Sequence, residues 1–149
     1  MKGKSLGWNF RKPGVAKEET PKLSLPGDVR RYVAERFRSL ENGSAIVLYL
    51  DGSGRLVGEY PTRSDRLHRI PTVLNIWRMA LLHDASSLVL AKDRPAETAE
   101  DARRDAELLE DLRWLMDEFG IRVSDTVIAP DLGKRFHWDA PFSIASFPA

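Results

Sequence analysis

The pattern of apolar and polar positions after residue 27 predicts three amphipathic helices that alternate with short strands. Apolar residues recur at helical spacing over 28–41, 71–83 and 98–119. Short apolar runs predict strands at 45–50, 56–60, 87–91, 121–129, 136–138 and 142–145, with a further short edge strand near 67–70. This order predicts an α/β (α+β) fold, in which one sandwich-like domain has a mixed sheet flanked by about three helices.

Local signals mark the ends of several elements. Asp51-Gly52 lies between two apolar runs, which is typical of a β-hairpin. Thr98 is a candidate N-cap for the third helix, with Asp101 three residues later in a variant capping box. Gly120 follows the last periodic residue of that helix and is a natural C-terminal stop.

One carboxylate occupies an apolar position of the third helix. Asp105 shares one side of that helix with Leu109 and Leu112, because these residues are spaced by four and three positions. A carboxylate that faces an apolar layer needs a partner, since burying it alone is costly. Lys92 and Arg94, just after the predicted strand 87–91, are the candidate partners.

Composition narrows the classes of function. The chain has 149 residues, 42% hydrophobic and 30% charged, with a formal net charge of +1. It contains no cysteine, which excludes thiolate metal sites, disulfides and cysteine catalysis. No apolar run approaches the length of a membrane span, and no secretory signal precedes the domain, so a cytoplasmic protein without membrane contact is expected.

Charge is unevenly distributed along the chain. Residues 1–26 hold six Lys and Arg against two Glu and are predicted to be a basic, flexible arm before a domain at 27–149. Trp8 and Phe10 lie among these cations, as in segments that stack on bases and contact phosphates. The candidate nucleic-acid contacts are Lys2, Lys4, Arg11 and Lys12; a solvated tail is the alternative.

The segment Leu88–Asp105 resembles the motif region of the RadC-like JAB/MPN domain, the bacterial branch of the JAMM metalloprotein fold. In that family an apolar strand precedes a His-Asn-His-Pro sequence, and a Ser-x-x-Asp follows at a helix start. Similar segments extend the resemblance over about 28–145, for example Leu50-Asp51 and Phe119-Gly120-Ile121. The resemblance implies a JAB/MPN fold and, for family members with the full motif, zinc-dependent hydrolysis.

The positions that carry the family's chemistry differ in this chain. Lys92 and Arg94 stand where the resemblance places the two zinc-binding histidines, and Ala102 stands where it places the serine. The strand glutamate falls near Gly43, and Asp105 alone matches the motif. We therefore expect a pseudoenzyme without a catalytic residue, metal or cofactor, in which an ion pair between these cations and Asp105 replaces the metal. The resemblance implies a role as an interaction or scaffold module for an unknown protein partner.

Two other functions stay open. A JAMM-type metallopeptidase could recruit displaced zinc ligands from His68, His83 or His137, although their spacing does not favour a metal site. A DNA-binding accessory protein could use the basic arm, and RadC-like proteins are customarily associated with DNA repair. Neither Ser86-Ser87 nor Ser143 has a matched base, so nucleophilic catalysis is not supported.

Overall fold

A computed structural model describes residues 20–24 and 26–130 of the chain. The helices are α1 (Pro26–Arg38), α2 (Ile70–Leu82) and α3 (Ala99–Asp117), and a short 3-10 helix spans Ser64–Arg66. The strands are β1 (Ser44–Leu50), β2 (Leu56–Arg63), β3 (Ser87–Lys92) and β4 (Arg122–Val123). The strands form one sheet in the order β2-β1-β3-β4.

The sheet is mixed, as the sequence predicts. β1 pairs antiparallel with both β2 and β3, whereas β3 pairs parallel with β4 after the crossover through α3. The order of elements in the described residues therefore confirms a small α/β domain with three helices around a mixed sheet.

Helices cover both faces of the sheet, which explains why β1 is buried at every position. Ile46 and Leu48 pack under α1, while Val47 and Tyr49 point to the opposite face, under α2 and α3. Because alternate residues of a strand face opposite sides, a central strand covered on both faces reads as a continuous apolar run.

The signals at the ends of α3 are confirmed. The Thr98 hydroxyl accepts a hydrogen bond from the backbone N–H of Asp101 at 3.0 Å, which is an N-cap contact. Gly120 has a φ of +70°, in the left-handed region that glycine adopts without strain at the end of a helix. These two residues fix the length of the helix that carries Asp105.

Two predicted strands differ from the structure. The edge strand at 67–70 is wrong, because the chain turns through the 3-10 helix and enters α2 at Ile70, with Leu67 wholly buried. The strand at 121–129 is too long, since only Arg122–Val123 pairs continuously and Ile128 makes an isolated bridge to Ala91. Between them, the Ser124 hydroxyl donates to the carbonyl of Thr126, and this local bond competes with strand pairing.

The apolar spacing over 98–119 predicts that Leu108, Leu109, Leu112, Leu115, Met116 and Phe119 form the core face of α3, and the structure corrects Phe119. Phe119 is 48% exposed, because α3 ends at Asp117 and Phe119 lies beyond its last turn. Its ring lies 6.0 Å from the ring of Trp77 on α2. The other predicted core residues of this helix that are buried are Leu108, Leu109, Leu112 and Met116.

Residues 20–24 contact the domain, although the charge pattern assigns them to the arm. Leu23 is buried, its N–H donates to the carbonyl of Gly54 at 2.7 Å, and the Leu56 N–H donates to the carbonyl of Pro21. The predicted strands 136–138 and 142–145 and the first 19 residues of the arm lie outside the described residues. None of the described helices has the length and apolar character that crossing a membrane requires.

Candidate functional site

The predicted partner of Asp105 is found at the end of β3. The Lys92 ammonium lies 3.2 Å from Asp105 Oδ1 and 3.4 Å from Oδ2, and the two side chains are only 15% and 11% exposed. Lys92 is the last residue of β3 and shares a face of the sheet with Leu88 and Leu90. That face is covered by α3, so strand period and helix period together bring the two charges into contact.

A third polar side chain approaches from the connection before α2. The Nε2 atom of His68 lies 3.8 Å from Asp105 Oδ1. Burial lowers the pKa of His68, the neighbouring charges of Arg104 and Lys92 lower it further, and Asp105 opposes this effect. Burial and the surrounding cations therefore favour the neutral imidazole beside the ion pair.

The other positions of the degenerate motif do not join this cluster. Arg94 and Ala102 are both exposed, and Arg94 makes no ion pair with Asp105. Arg94 lies in the loop two residues beyond the end of β3, where the strand no longer directs side chains toward α3. Of the two predicted cations, Lys92 alone neutralises the carboxylate.

Hydrogen bonds between Gly43, Ser44 and Asp93 surround the position where the resemblance places a strand glutamate. The N–H of Gly43 donates to Asp93 Oδ2 at 2.6 Å, and the N–H of Asp93 donates to the carbonyl of Ser44. Gly43 has a φ of +84°, and a Cβ atom built there would lie 3.0 Å from Arg63 Nη2. The left-handed backbone conformation at Gly43 therefore disfavours a glutamate at this position.

The described residues do not fit a zinc site. Within 20–24 and 26–130, no group of three or more His, Cys, Asp or Glu side chains is placed to hold a metal ion. Asp105 and His68 are two donors of the required type, whereas zinc sites use three or four protein ligands. The Lys92 ammonium also lies against the carboxylate and would repel a dication.

The remaining histidines do not complete such a site in the described residues. His83 lies beside Tyr49, with the ring centroids 5.7 Å apart, and burial lowers its pKa. His137 lies outside the described residues, as do the candidate nucleic-acid contacts Lys2, Lys4, Arg11 and Lys12. Nucleic-acid binding by the arm therefore stays a prediction.

A second buried charge cluster, which the sequence pattern did not reveal, lies on the opposite face of the sheet. Glu59 of β2 is 1% exposed and accepts from Arg36 Nε at 2.9 Å and Nη2 at 2.7 Å. The Tyr32 hydroxyl also donates to Glu59, and burial together with this carboxylate raises the pKa of Tyr32. Because all three side chains have partners, the cluster fastens α1 to the sheet.

Comparisons with known proteins agree on one family. The sequence profile described as the RadC-like JAB domain matches residues 23–136. A UPF0758 protein of Thioalkalivibrio sulfidiphilus is 32% identical over 110 residues, which cover 73% of this chain and 49% of that protein. A UPF0758 protein of Leptothrix cholodnii is 28% identical over 108 residues, covering 72% and 49%. The chain thus spans about half the length of the curated relatives it matches.

Proposed function

The chain belongs to the RadC-like JAB domain family, and within it we propose a non-catalytic member that acts as a protein-interaction or scaffold module. The observation that carries this proposal is the contact between the Lys92 ammonium and Asp105, at 3.2 Å. A lysine beside the one matching motif carboxylate supplies the positive charge that a metal ion would otherwise supply.

The chemistry of the surrounding side chains supports the same proposal. A hydrolytic zinc site needs several neutral or anionic ligands and an open position for water. Here the carboxylate already accepts hydrogen bonds from a cation, and the position near which the resemblance places a strand glutamate is Gly43, which has no carboxylate. The Lys92 ammonium is not a Lewis acid and cannot generate a metal-bound hydroxide. The cluster around Asp105 therefore favours a structural role for these side chains rather than a hydrolytic one.

Zinc stoichiometry of the full chain tests the proposal. Purified, untagged protein is analysed for zinc by elemental analysis, and by native mass spectrometry after zinc addition. We expect no stoichiometric zinc in the wild type or in Asp105→Ala. Asp101→Asn, a carboxylate change in the first turn of α3, is the matched control for surface binding.

One tightly held zinc per chain that is lost in Asp105→Ala and retained in Asp101→Asn would overturn the proposal. That result would support the alternative, a JAMM-type hydrolase with displaced ligands, and His68→Ala would identify whether the neighbouring imidazole takes part. Weak zinc binding that is equal in all variants would be surface binding and would leave the pseudoenzyme in place.

A further inference from the structure

An exposed aromatic surface lies at the C-terminal end of α3. Trp114 is 79% exposed and Phe119 is 48% exposed, and Trp77 of α2 contacts the Phe119 ring. Together with Leu115 these side chains line one cavity of about 680 Å³. Large apolar side chains exposed together in this way mark interaction sites on soluble proteins.

The rim of this aromatic surface is acidic. Four carboxylates line the cavity with the aromatic rings: Glu110, Asp111, Asp117 and Glu118. The one cation among the lining residues, Arg113, pairs with Glu110 at 3.4 Å through Nη1, and its Nη2 donates to the carbonyls of Ser124 and Asp125. The other three carboxylates therefore give the rim its negative charge. An occupant of this surface is therefore expected to combine aromatic side chains with positive charge.

The chain itself contains a segment of that chemistry. Residues 1–17 hold five Lys and Arg and no carboxylate, and they include Trp8 and Phe10. The segment joins the described chain at Thr20, whose carbonyl accepts from Arg55 Nη1 at 3.5 Å beside the start of β2. Its cations and aromatic rings are complementary to the acidic rim and the exposed rings of α3.

The length of the segment is sufficient to reach along the surface. The twelve residues from Trp8 to Thr20 span about 40 Å when extended. This length exceeds the diameter of a small domain, about 30 Å, so the segment can reach the aromatic surface from Thr20. Covalent attachment also raises the effective concentration of the segment at this surface into the millimolar range, so modest contacts are enough for occupancy.

We propose that residues 1–17 bind the aromatic surface of α3 within the same chain, with Trp8 or Phe10 against Trp114 and the lysines against the acidic rim. This interaction does not depend on the pseudoenzyme proposal, because it involves none of the residues around Asp105. It gives the basic segment an acidic protein surface, rather than nucleic acid, as its ligand.

Zero-length carbodiimide cross-linking of the full chain tests the proposal, because it joins a lysine to a carboxylate only when the two are in contact. At low micromolar protein, we expect amide links from Lys4, Lys12 and Lys17 to the four rim carboxylates in the monomeric product. Links to Glu97 and Glu100, exposed carboxylates near the start of α3, serve as the internal reference. The rim links should exceed the reference links at least about fivefold, and this excess should fall in 1 M salt because exposed charges are then screened.

Two variants separate binding from chance proximity. Trp114→Ser should reduce the rim links about tenfold, since truncating an aromatic anchor removes much of a contact's stability. Ile70→Ser changes a residue of similar exposure, 73%, at the start of α2 and should leave the links unchanged. Both side chains are solvent-exposed, so both variants are expected to fold.

Three results would overturn the proposal. Rim and reference links of equal yield would mean that the segment has no preferred surface. Rim links that survive Trp114→Ser would mean that charge alone brings the groups together. Links found chiefly between isotopically labelled and unlabelled chains in a mixture would assign the surface to a second copy of the chain.

Discussion

The Lys92 ammonium lies 3.2 Å from Asp105 Oδ1, and this contact joins the last residue of β3 to the second turn of α3. His68 borders the same carboxylate at 3.8 Å. The three side chains form a compact polar cluster inside an apolar layer, so charge pairing rather than solvent satisfies the buried carboxylate. Substitutions in this cluster are therefore expected to lower the free energy of unfolding.

Removal of the ammonium should destabilise the fold. Lys92→Met keeps the apolar stem of the side chain but leaves Asp105 without its cation. We expect the free energy of unfolding to fall by about 2 kcal/mol. This value is below the range for wholly buried ion pairs because both side chains retain some exposure. Urea denaturation of wild type, Lys92→Met, Asp105→Leu and the double variant forms a double-mutant cycle. The double variant should lose less stability than the sum of the two single changes, and strictly additive losses would show that the pair is not coupled.

The Glu59 cluster should contribute more than an exposed ion pair. Glu59→Gln removes the negative charge that accepts two hydrogen bonds from Arg36, at a side chain that is 1% exposed. We expect the free energy of unfolding to fall by about 2–3 kcal/mol. Glu35→Gln is the matched control, since Glu35 pairs with Arg38 on the same helix while both side chains are over 70% exposed. That change should cost about 0.5 kcal/mol or less. Equal losses in thermal or urea unfolding would contradict a fastening role for Glu59.

Close packing at Gly58 predicts a steric effect. A Cβ atom at this position would lie 2.6 Å from ring atoms of His83, so Gly58→Ala should cost about 1–2 kcal/mol as the ring is displaced. The cost should nearly vanish in a His83→Ala background. Gly27→Ala, where nothing lies within 4 Å of the added atom, is the control and should be neutral or slightly stabilising in α1.

Stability should fall as the pH drops below about 6.5, the pKa of histidine in unfolded chains. Burial lowers the pKa of both His68 and His83 in the folded protein. The unfolded chain therefore binds protons first as the pH falls, which favours unfolding until the folded-state histidines are protonated as well. The free energy of unfolding at pH 7.5 and 5.5 measures this slope. The double variant His68→Asn/His83→Asn should show a smaller decrease, and an unchanged decrease would assign it to carboxylates.

Much of the architecture follows from patterns within single elements. The apolar positions of α3 and the Thr98 cap predict its span, and the spacing of Asp105 from Leu109 predicts that its carboxylate faces the apolar layer. Lys92 also continues the alternation of Leu88 and Leu90 along β3. These are local properties, because helix and strand periods depend only on the backbone conformation of one segment.

Patterns within single elements do not predict which distant segments come into contact. Nothing near His68 in the sequence indicates that the turn before α2 returns to Asp105, and nothing near Glu59 indicates a partner on α1. The signal for Glu59 was limited to its place within an apolar strand pattern, between Gly58 and Tyr60. Its partner is set by the pairing of Glu59 with Leu48, which turns its side chain toward α1.

The kind of fold, the family and the presence of a carboxylate that needs a cation all follow from the order of residues along the chain. Contacts between elements place Lys92 rather than Arg94 beside that carboxylate and bring His68 to the pair. The physical reason is that burial and charge pairing depend on distances between elements. Those distances are set by strand order and by the packing of helices on the sheet, neither of which is encoded in a local period.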